Sequence, residues 1–199
     1  MNLSDAGGHR YRIESMENGD CNLRMPTAPD GSNNRIVILY LDYDGVLHDD
    51  AVYWSKQKGI HIRTPGRILF EWTPILEDLL VPHPDVKIVL STSWVKVRDF
   101  DFAKNRLTQA LQARVVGATF HRRETPKWKF DNMSRGAQVY ADVQRRRPTY
   151  WLALDNDDVA WPAHCRDNLI KTNDDLGLSE PEVQAAISAK LASFASNQS

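Results

Sequence analysis

The stretch ILYLDYDGVLHDD, residues 38–50, decides the fold. An apolar run at 38–41 ends in two carboxylates at alternating positions, Asp42 and Asp44, and a glycine follows at once. A continuous apolar and β-branched run is typical of a strand that is covered on both faces. Because side chains alternate along a strand, we expect both carboxylates on one side of its tip.

Similar apolar runs recur along the chain and predict further strands. They are VKIVLS at 86–91, RVVGAT at 114–119, YWLALD at 150–155 and the weaker LIKT at 169–172. Helical patterns fill the gaps: one helix capped by Thr73, one over 100–113, one capped by Ser134, and one opened by a capping box at 179–182. Strands alternating with helices predict parallel βαβ units, and hence a three-layer α/β/α, Rossmann-like parallel sheet.

Length and composition indicate a single globular domain with a tail. The chain has 199 residues, of which 42% are hydrophobic and 26% charged, with a formal net charge of −1. The polar segment 1–33 predicts a flexible or weakly structured leader before a domain over 34–199. Two cysteines 144 positions apart match no metal or redox spacing, which favours a reduced, cytoplasmic setting. We expect no membrane partner, because no stretch has the apolar length of a signal peptide or a membrane span.

The strand endings carry the chemistry, because ligands of parallel sheets bind beyond the carboxyl ends of the strands. Two close carboxylates repel each other unless a cation lies between them or one is protonated. Carboxylate oxygens suit Mg²⁺, and hydroxyls that open a helix suit a phosphate. The strands end in Asp42-x-Asp44, in Ser91-Thr92-Ser93 and in Asp155-Asn156-Asp157-Asp158. The combination predicts transfer of a phosphoryl group to a carboxylate.

These motifs resemble those of the haloacid dehalogenase-like (HAD) phosphohydrolase superfamily. ILYLDYDGVL at 38–47 matches the first motif, an apolar strand followed by DxDG and two apolar residues. IVLS at 88–91 resembles the second motif and WLALDND at 151–157 the fourth, in the right order, so that the resemblance spans about 35–195. LSTSW at 90–94 and GLSEPEV at 177–183 resemble, more narrowly, the small HAD domain of bacterial RNA-repair proteins.

The resemblance implies a role for each motif residue. Asp42 would be the nucleophile that forms an aspartyl-phosphate, and Asp44 would be the acid and base that moves the proton. Mg²⁺ would be held by Asp42, the backbone carbonyl of Asp44, and Asp155. Ser91 would bind the phosphoryl oxygens, with Thr92 as the alternative hydroxyl.

The third motif of the family requires a cation, and three residues compete for that position. Lys127, Lys129 and Arg135 all lie before or at the start of the helix that leads to the fourth motif. Lys129 is the better ammonium candidate, whereas Arg135 followed by glycine resembles the family's pairing of a basic residue with glycine. Both Lys129 and Arg135 are therefore expected among the phosphate-binding residues.

Two further expectations concern the acids of the fourth motif and the residues that follow the first motif. The fourth motif has Asn156 where the family has a second acid, so that Asp157 or Asp158 could assist the metal instead. The three residues 48–50 that follow the first motif are expected at the surface rather than as ligands.

The spacing of the motifs leaves no room for a large cap domain. Asp42 and Ser91 are 49 positions apart, and a short flap and a helix leave about 20 residues, which is too few for a domain. Open sites in the superfamily tend to act on large substrates. Between positions 114 and 147 there are nine Lys/Arg against three acids, which favours a phosphate-rich partner, although the three arginines at 145–147 could simply end a helix.

We therefore expect a Mg²⁺-dependent phosphatase for a phosphomonoester, on a nucleic-acid end or a nucleotide. Two alternatives stay open: a catalytically weak phosphate-binding or interaction module with the same fold, and a 5′-nucleotidase for free mononucleotides. The sequence does not indicate an oligomeric state.

Overall fold

The computed structural model describes residues 35–121 and 125–196, so the leader predicted over 1–33 lies outside the described part. Seven strands follow one another along the described chain. They are β1 (Val37–Leu41), β2 (Val52–Ser55), β3 (Gly59–Ile62), β4 (Val86–Leu90), β5 (Val115–Ala118), β6 (Tyr150–Asp155) and β7 (Leu169–Lys171). Five of them form a parallel sheet in the order β5-β4-β1-β6-β7, and β2 pairs with β3 as a separate antiparallel hairpin.

Helices cover both faces of the parallel sheet. They are α1 (Thr73–Leu80), α2 (Ser93–Val97), α3 (Phe100–Lys104), α4 (Gln109–Gln112), α5 (Lys127–Asp131), α6 (Arg135–Arg146) and α7 (Pro181–Ser196), with 3₁₀ turns at Ala163–Asn168 and Gly177–Ser179. Two buried clusters separate the layers, one with side chains from α1, α4 and α7 and the other with side chains from α6. The predicted three-layer α/β/α architecture is confirmed. In the described residues no helix has the length and apolar character needed to cross a bilayer.

The central strand β1 explains why the sheet is buried on both sides. Leu39 and Leu41 belong to the core cluster on the α1 and α7 face, whereas Ile38 and Tyr40 belong to the cluster on the α6 face. This alternation follows from the period of two along a strand, and it requires apolar residues at every position. The continuous apolar run at 38–41 is thus the sequence signature of a strand with helices above and below it.

The predicted helix over 100–113 is interrupted. Instead, α3 ends at Lys104 and α4 begins at Gln109. The hydroxyl of Thr108 accepts a hydrogen bond from the N–H of Leu111 and so caps the second helix. The apolar spacing was compatible with one helix, but this capping hydroxyl starts a new one.

Two predicted caps are also wrong. Helix α1 already begins at Thr73, whose hydroxyl is buried without a hydrogen-bond partner, so Thr73 does not cap it. Ser179 lies in the 3₁₀ turn before α7 and donates its hydroxyl proton to the carbonyl of Leu176. The cap predicted at Ser134 is confirmed, because its Oγ accepts from the N–H of Ala137.

The segment between β1 and α1 contains the β2–β3 hairpin, which we call the hairpin (residues 52–62). A four-residue pairing of two short strands is far smaller than a domain. Within residues 35–121 and 125–196 no larger insertion covers the carboxyl edge of the sheet. The expected absence of a large cap therefore holds for the described chain.

Candidate active site

The register of the three central strands aligns their tips. Leu41 lies opposite Leu90 on one side and Leu154 on the other. The hydrogen bonds continue one residue further, from the N–H of Asp42 to the Leu154 carbonyl (3.1 Å) and from the N–H of Ser91 to the Leu41 carbonyl (2.8 Å). The residues that follow these positions on the three strands are therefore neighbours at one edge of the sheet.

Three of the predicted site residues meet at this edge. Asp42 is 3% exposed, Ser91 1% and Asp155 1%, so their side chains are withdrawn from bulk water. Two carboxylates buried at adjacent strand ends need a compensating positive charge, since an unpaired buried charge is very costly. The parallel topology itself brings these side chains together.

Arg135 supplies the positive charge. Its Nη2 lies 3.1 Å from Asp42 Oδ2, its Nε lies 3.2 Å from Asp155 Oδ2, and its Nη1 donates to the Ser91 carbonyl at 2.6 Å. One guanidinium thus contacts all three strand tips. Planar guanidinium groups suit such multidentate contacts to carboxylates.

The start of α6 is built to hold Arg135 in place. Ser134 caps the helix, and Gly136 allows Trp161 to pack against it, since an added Cβ at Gly136 would come within 2.6 Å of the indole ring. Gln138 donates to the carbonyls of Phe130 and Met133, which fixes the loop before the helix. The packing of Trp161 against Gly136 therefore explains why a glycine follows Arg135 in the third motif.

The lysine candidates for the same role lie elsewhere. Lys127 and Lys129 are both exposed on α5. Neither forms an ion pair with a carboxylate in the described part of the chain. The structure brings Arg135 to the carboxylates and leaves the expected Lys129 at the surface.

The electrostatics of the cluster follow from burial. Burial raises the pKa of Asp42, the Arg135 guanidinium opposes this, and the neighbouring Asp44 raises the pKa again. Burial also raises the pKa of Asp155, with Asp42 adding to the effect and Arg135 opposing it. For Arg135, burial alone would lower the pKa, but the surrounding carboxylates raise it overall. The site therefore attracts further positive charge.

The donor set fits Mg²⁺. Asp155 Oδ2 is buried and has no hydrogen-bond donor, because its contact with Arg135 has ion-pair distance but lacks hydrogen-bond geometry. In the described residues no group of three or more His, Cys, Asp or Glu side chains could hold a metal. Mg²⁺ does not require one, since it commonly uses one or two carboxylates with waters and a substrate phosphate. Asp42, Asp155 and the backbone carbonyl of Asp44 are a suitable set.

The two hydroxyls at the tip of β4 have different surroundings. Thr92 caps α2 by accepting from the N–H of Trp94 at 3.4 Å, and its proximity to Asp42 opposes the rise in the pKa of that carboxyl. Ser91 Oγ is buried without a hydrogen-bond partner. Of the two candidates, Ser91 is the hydroxyl that is free to contact a ligand.

Asp44 is held by two buried side chains that sequence reasoning did not assign to the site. The indole Nε1 of Trp94 donates to both carboxylate oxygens (2.9 and 3.1 Å), and His48 Nε2 lies 3.0 Å from Oδ1. The expectation that residues 48–50 are all at the surface is wrong for His48, which is fully buried, and for Asp49, which is 2% exposed; Asp50 is exposed. The four-residue spacing from Asp44 to His48 was the available signal.

Gly45 allows a close approach at the turn after the two acids. Its φ is +68°, and an added Cβ would lie 2.6 Å from Asn156 Nδ2. Asn156 in turn donates to Asp174 Oδ1 at 2.9 Å. The asparagine in the fourth motif therefore joins the first-motif turn to the loop after β7.

The remaining acids of the fourth motif point to other partners. The Asp157 side chain is exposed and accepts from the N–H of Val159, while its own N–H donates to Asp155 Oδ1 at 3.0 Å. Asp158 pairs with Lys171 at 2.7 Å. Asp157 thus orients Asp155 through its backbone, and Asp158 belongs to a surface ion pair.

The basic stretch at 114–147 is not one surface. Arg114 donates to the backbone carbonyls of residues 80, 83, 84 and 86. Arg145 and Arg146 pair with the buried Asp142 on the α6 face. Much of the local surplus of positive charge is therefore engaged in contacts within the protein. Residues 122–124 lie outside the described chain.

The parallel sheet, the aligned strand tips and the carboxylate–arginine cluster define a HAD-type domain. The chain matches, over residues 38–183, the family described as the HAD domain in Swiss Army Knife RNA repair proteins. Because the match covers well over half of the sequence, the chain belongs to this family, as its motifs indicated. No curated protein and no solved structure matches the chain significantly.

Proposed function

We propose that this protein is a Mg²⁺-dependent phosphatase that hydrolyses a phosphomonoester at the end of a nucleic acid through an aspartyl-phosphate on Asp42. The observation that carries the proposal is the cluster at the strand tips, where Arg135 contacts both Asp42 and Asp155 beside the unpartnered Ser91 hydroxyl. Membership of a family named for RNA repair supports a nucleic-acid substrate.

In the first step, Asp42 attacks the phosphorus atom. A bond forms between an Asp42 carboxylate oxygen and phosphorus, and the bond from phosphorus to the leaving oxygen breaks. Asp44 gives its proton to that oxygen, which departs as an alcohol. Arg135 and the Ser91 hydroxyl stabilise the negative charge on the other phosphoryl oxygens.

In the second step, water hydrolyses the aspartyl-phosphate. Asp44, now a carboxylate, takes a proton from the water while the water oxygen bonds to phosphorus. The bond between phosphorus and Asp42 breaks, inorganic phosphate leaves, and Asp44 is protonated again. The contacts from Trp94 and His48 keep the Asp44 carboxylate in place for both proton transfers.

In this proposal the cofactor is Mg²⁺, which Asp42, Asp155 and the backbone carbonyl of Asp44 would hold. When bound, it would supply positive charge that favours transfer of a negatively charged phosphoryl group. Asp155 Oδ2, which is buried and accepts no hydrogen bond although Arg135 Nε lies 3.2 Å away, supports this assignment.

A large substrate is favoured by the open edge of the sheet. In the described chain only the short hairpin lies between β1 and α1, so the substrate itself must exclude water from the reaction. A nucleic-acid strand has that bulk, whereas a free mononucleotide is small. Retention of both Asp42 and Asp44 favours catalysis over a binding-only module.

The test is a substrate panel with Mg²⁺, containing 5′- and 3′-phosphorylated oligonucleotides, mononucleotides and p-nitrophenyl phosphate. Asp42→Asn should reduce every activity to background, because the nucleophile is lost. Asp167→Asn, an exposed acid in the 3₁₀ turn before β7, is the matched control and should keep full activity. Turnover by Asp42→Asn would refute the nucleophile. Higher kcat/KM for mononucleotides than for oligonucleotides would identify a nucleotidase, and inactivity of the wild type in the whole panel would leave a binding module.

A further inference from the structure

The hairpin (residues 52–62) is connected to the surroundings of the site through the residues that flank it in the chain. On its N-terminal side, the N–H of Asp50 donates to the carbonyl of Asp174, the residue whose side chain accepts from Asn156. On its C-terminal side, the ring of Phe70 packs against His48 (4.8 Å between centroids) and Trp94 (5.4 Å). The chain before and after the hairpin is thus attached to residues that lie next to the first-motif turn.

The hairpin segment has the composition of a nucleic-acid surface. Residues 51–67 contain four Lys/Arg and no acid. Lys56 and Lys58 are exposed at the turn and form no ion pair among the described residues, and Arg63 is exposed as well. Uncompensated cations of this kind attract the phosphates of a strand.

Two aromatic side chains on the hairpin are exposed to solvent. Trp54 is 63% exposed and Tyr53 42%. Arg63 stacks on the Tyr53 ring, with its guanidinium carbon 3.6 Å from the ring centroid. Exposed aromatics between free cations are the combination with which proteins bind single strands, by stacking the bases and neutralising the backbone.

The strand register shows how Trp54 is placed. Trp54 pairs with Ile60 and lies two residues after Val52, so the three side chains share one face of the hairpin. Val52 and Ile60 pack against the main core cluster, but Trp54 remains largely exposed. Trp54 therefore extends beyond the edge of the core on the face that is turned towards the body of the protein.

The geometry points to the hairpin as a stacking platform for the bases of a single-stranded nucleic acid. Trp54 is the principal stacking residue, and Lys56 and Lys58 contact the backbone phosphates. This inference rests on the proposed function only in that the terminal phosphate of the same strand would reach Asp42.

The structure offers one other candidate surface for the strand among the described residues. A groove of about 690 Å³ lies between α2, β5 and α5, with Arg98, Phe100 and Lys127 among its lining residues. Trp128, next to Lys127 on α5, is 69% exposed. The hairpin is favoured because the chain on either side of it, at Asp50 and at Phe70, contacts residues beside the site, whereas none of Asp42, Asp44 or Asp155 lines the groove.

The test measures binding without turnover. Full-length Asp42→Asn protein is titrated into a fluorescein-labelled single-stranded oligoribonucleotide with a terminal phosphate, and anisotropy gives Kd. Adding Trp54→Ala should weaken binding about 5- to 150-fold, equivalent to the ~1–3 kcal/mol of one base–aromatic stack. Trp54→Phe should restore most of the affinity. Trp128→Ala tests the groove path, and a change below twofold is expected.

The opposite results of these binding measurements would contradict the inference. Unchanged affinity with Trp54→Ala, or a larger loss with Trp128→Ala, would overturn the platform. In a salt titration, Lys56→Gln with Lys58→Gln should reduce the slope of log Kd against log salt by about 1.4, and an unchanged slope would remove the lysines from the interface. These binding measurements do not need activity, so they stand even if the phosphatase proposal fails.

Discussion

Trp94→Phe should separate a positioning role of Trp94 towards Asp44 from a simple packing role in the core. The indole Nε1 donates to both oxygens of Asp44, and a phenyl ring cannot do so. Phe keeps an aromatic ring beside Tyr43 and Phe70, with which Trp94 now makes edge-to-face contacts. The substitution thus removes the hydrogen bonds and retains most of the packing.

The expected loss follows from the strength of a hydrogen bond to a charged group. Such a bond contributes about 1.5–3 kcal/mol, which corresponds to about 10- to 150-fold in rate if Asp44 is misplaced in the transition state. The loss should appear in kcat/KM for an alkyl phosphomonoester such as a nucleotide end, whose leaving oxygen needs a proton. For p-nitrophenyl phosphate, which releases a stable phenolate, kcat/KM should fall less than about threefold. The ratio kcat/KM reports the steps up to phosphoryl transfer, so slow hydrolysis of the aspartyl-phosphate does not obscure it.

A double-mutant cycle completes the experiment. In an Asp44→Asn background, Trp94→Phe should have no further effect on the leaving-group dependence, because the group that it positions is already inactive. Urea unfolding of each variant gives the cost of the smaller ring in the core. Equal losses of kcat/KM for both substrates would refute the reasoning and leave Trp94 as a packing residue.

Three further outcomes are expected. Thermal melting with Mg²⁺ or EDTA should show that Mg²⁺ at ten times its Kd stabilises the wild type by about 1.4 kcal/mol. Asp155→Asn should abolish this stabilisation, and a variant that kept it would place the metal elsewhere. Arg135→Met leaves two buried carboxylates without their cation and should cost about 3–5 kcal/mol in urea unfolding with EDTA, with Arg135→Lys costing less; equal costs would argue against the ion pairs. Gly45→Ala should destabilise by about 1–2 kcal/mol from its left-handed φ, with a further steric part that Asn156→Ala relieves. If Asn156→Ala did not reduce the destabilisation caused by Gly45→Ala, the close contact between residues 45 and 156 would not contribute to it.

The strand tips were predictable because their signals are local and the topology does the rest. The apolar runs that end at Asp42, Ser91 and Asp155 each gave a strand within one or two residues of the observed bounds. Once strands alternate with helices, the sheet is parallel and its carboxyl ends share one edge. The sequence therefore determined which carboxylates meet without any knowledge of distances.

The partners of those carboxylates were less predictable, since they depend on tertiary packing. Arg135 and Lys129 are six positions apart, and the choice between them depends on where α6 begins and how Gly136 packs against Trp161. The burial of His48 depends on the turn after the first motif and on the Phe70 ring, which returns from beyond the hairpin. No local sequence pattern indicates that Phe70 packs back against His48.

Arg135 has a consequence for how the chain folds. Its guanidinium contacts both carboxylates at the strand tips and offsets one of their two negative charges before any ion arrives. We therefore expect the interior of the newly made chain to close in a metal-poor environment, so that folding does not have to wait for a divalent cation. A cation that binds later would add the remaining positive charge to a preformed site.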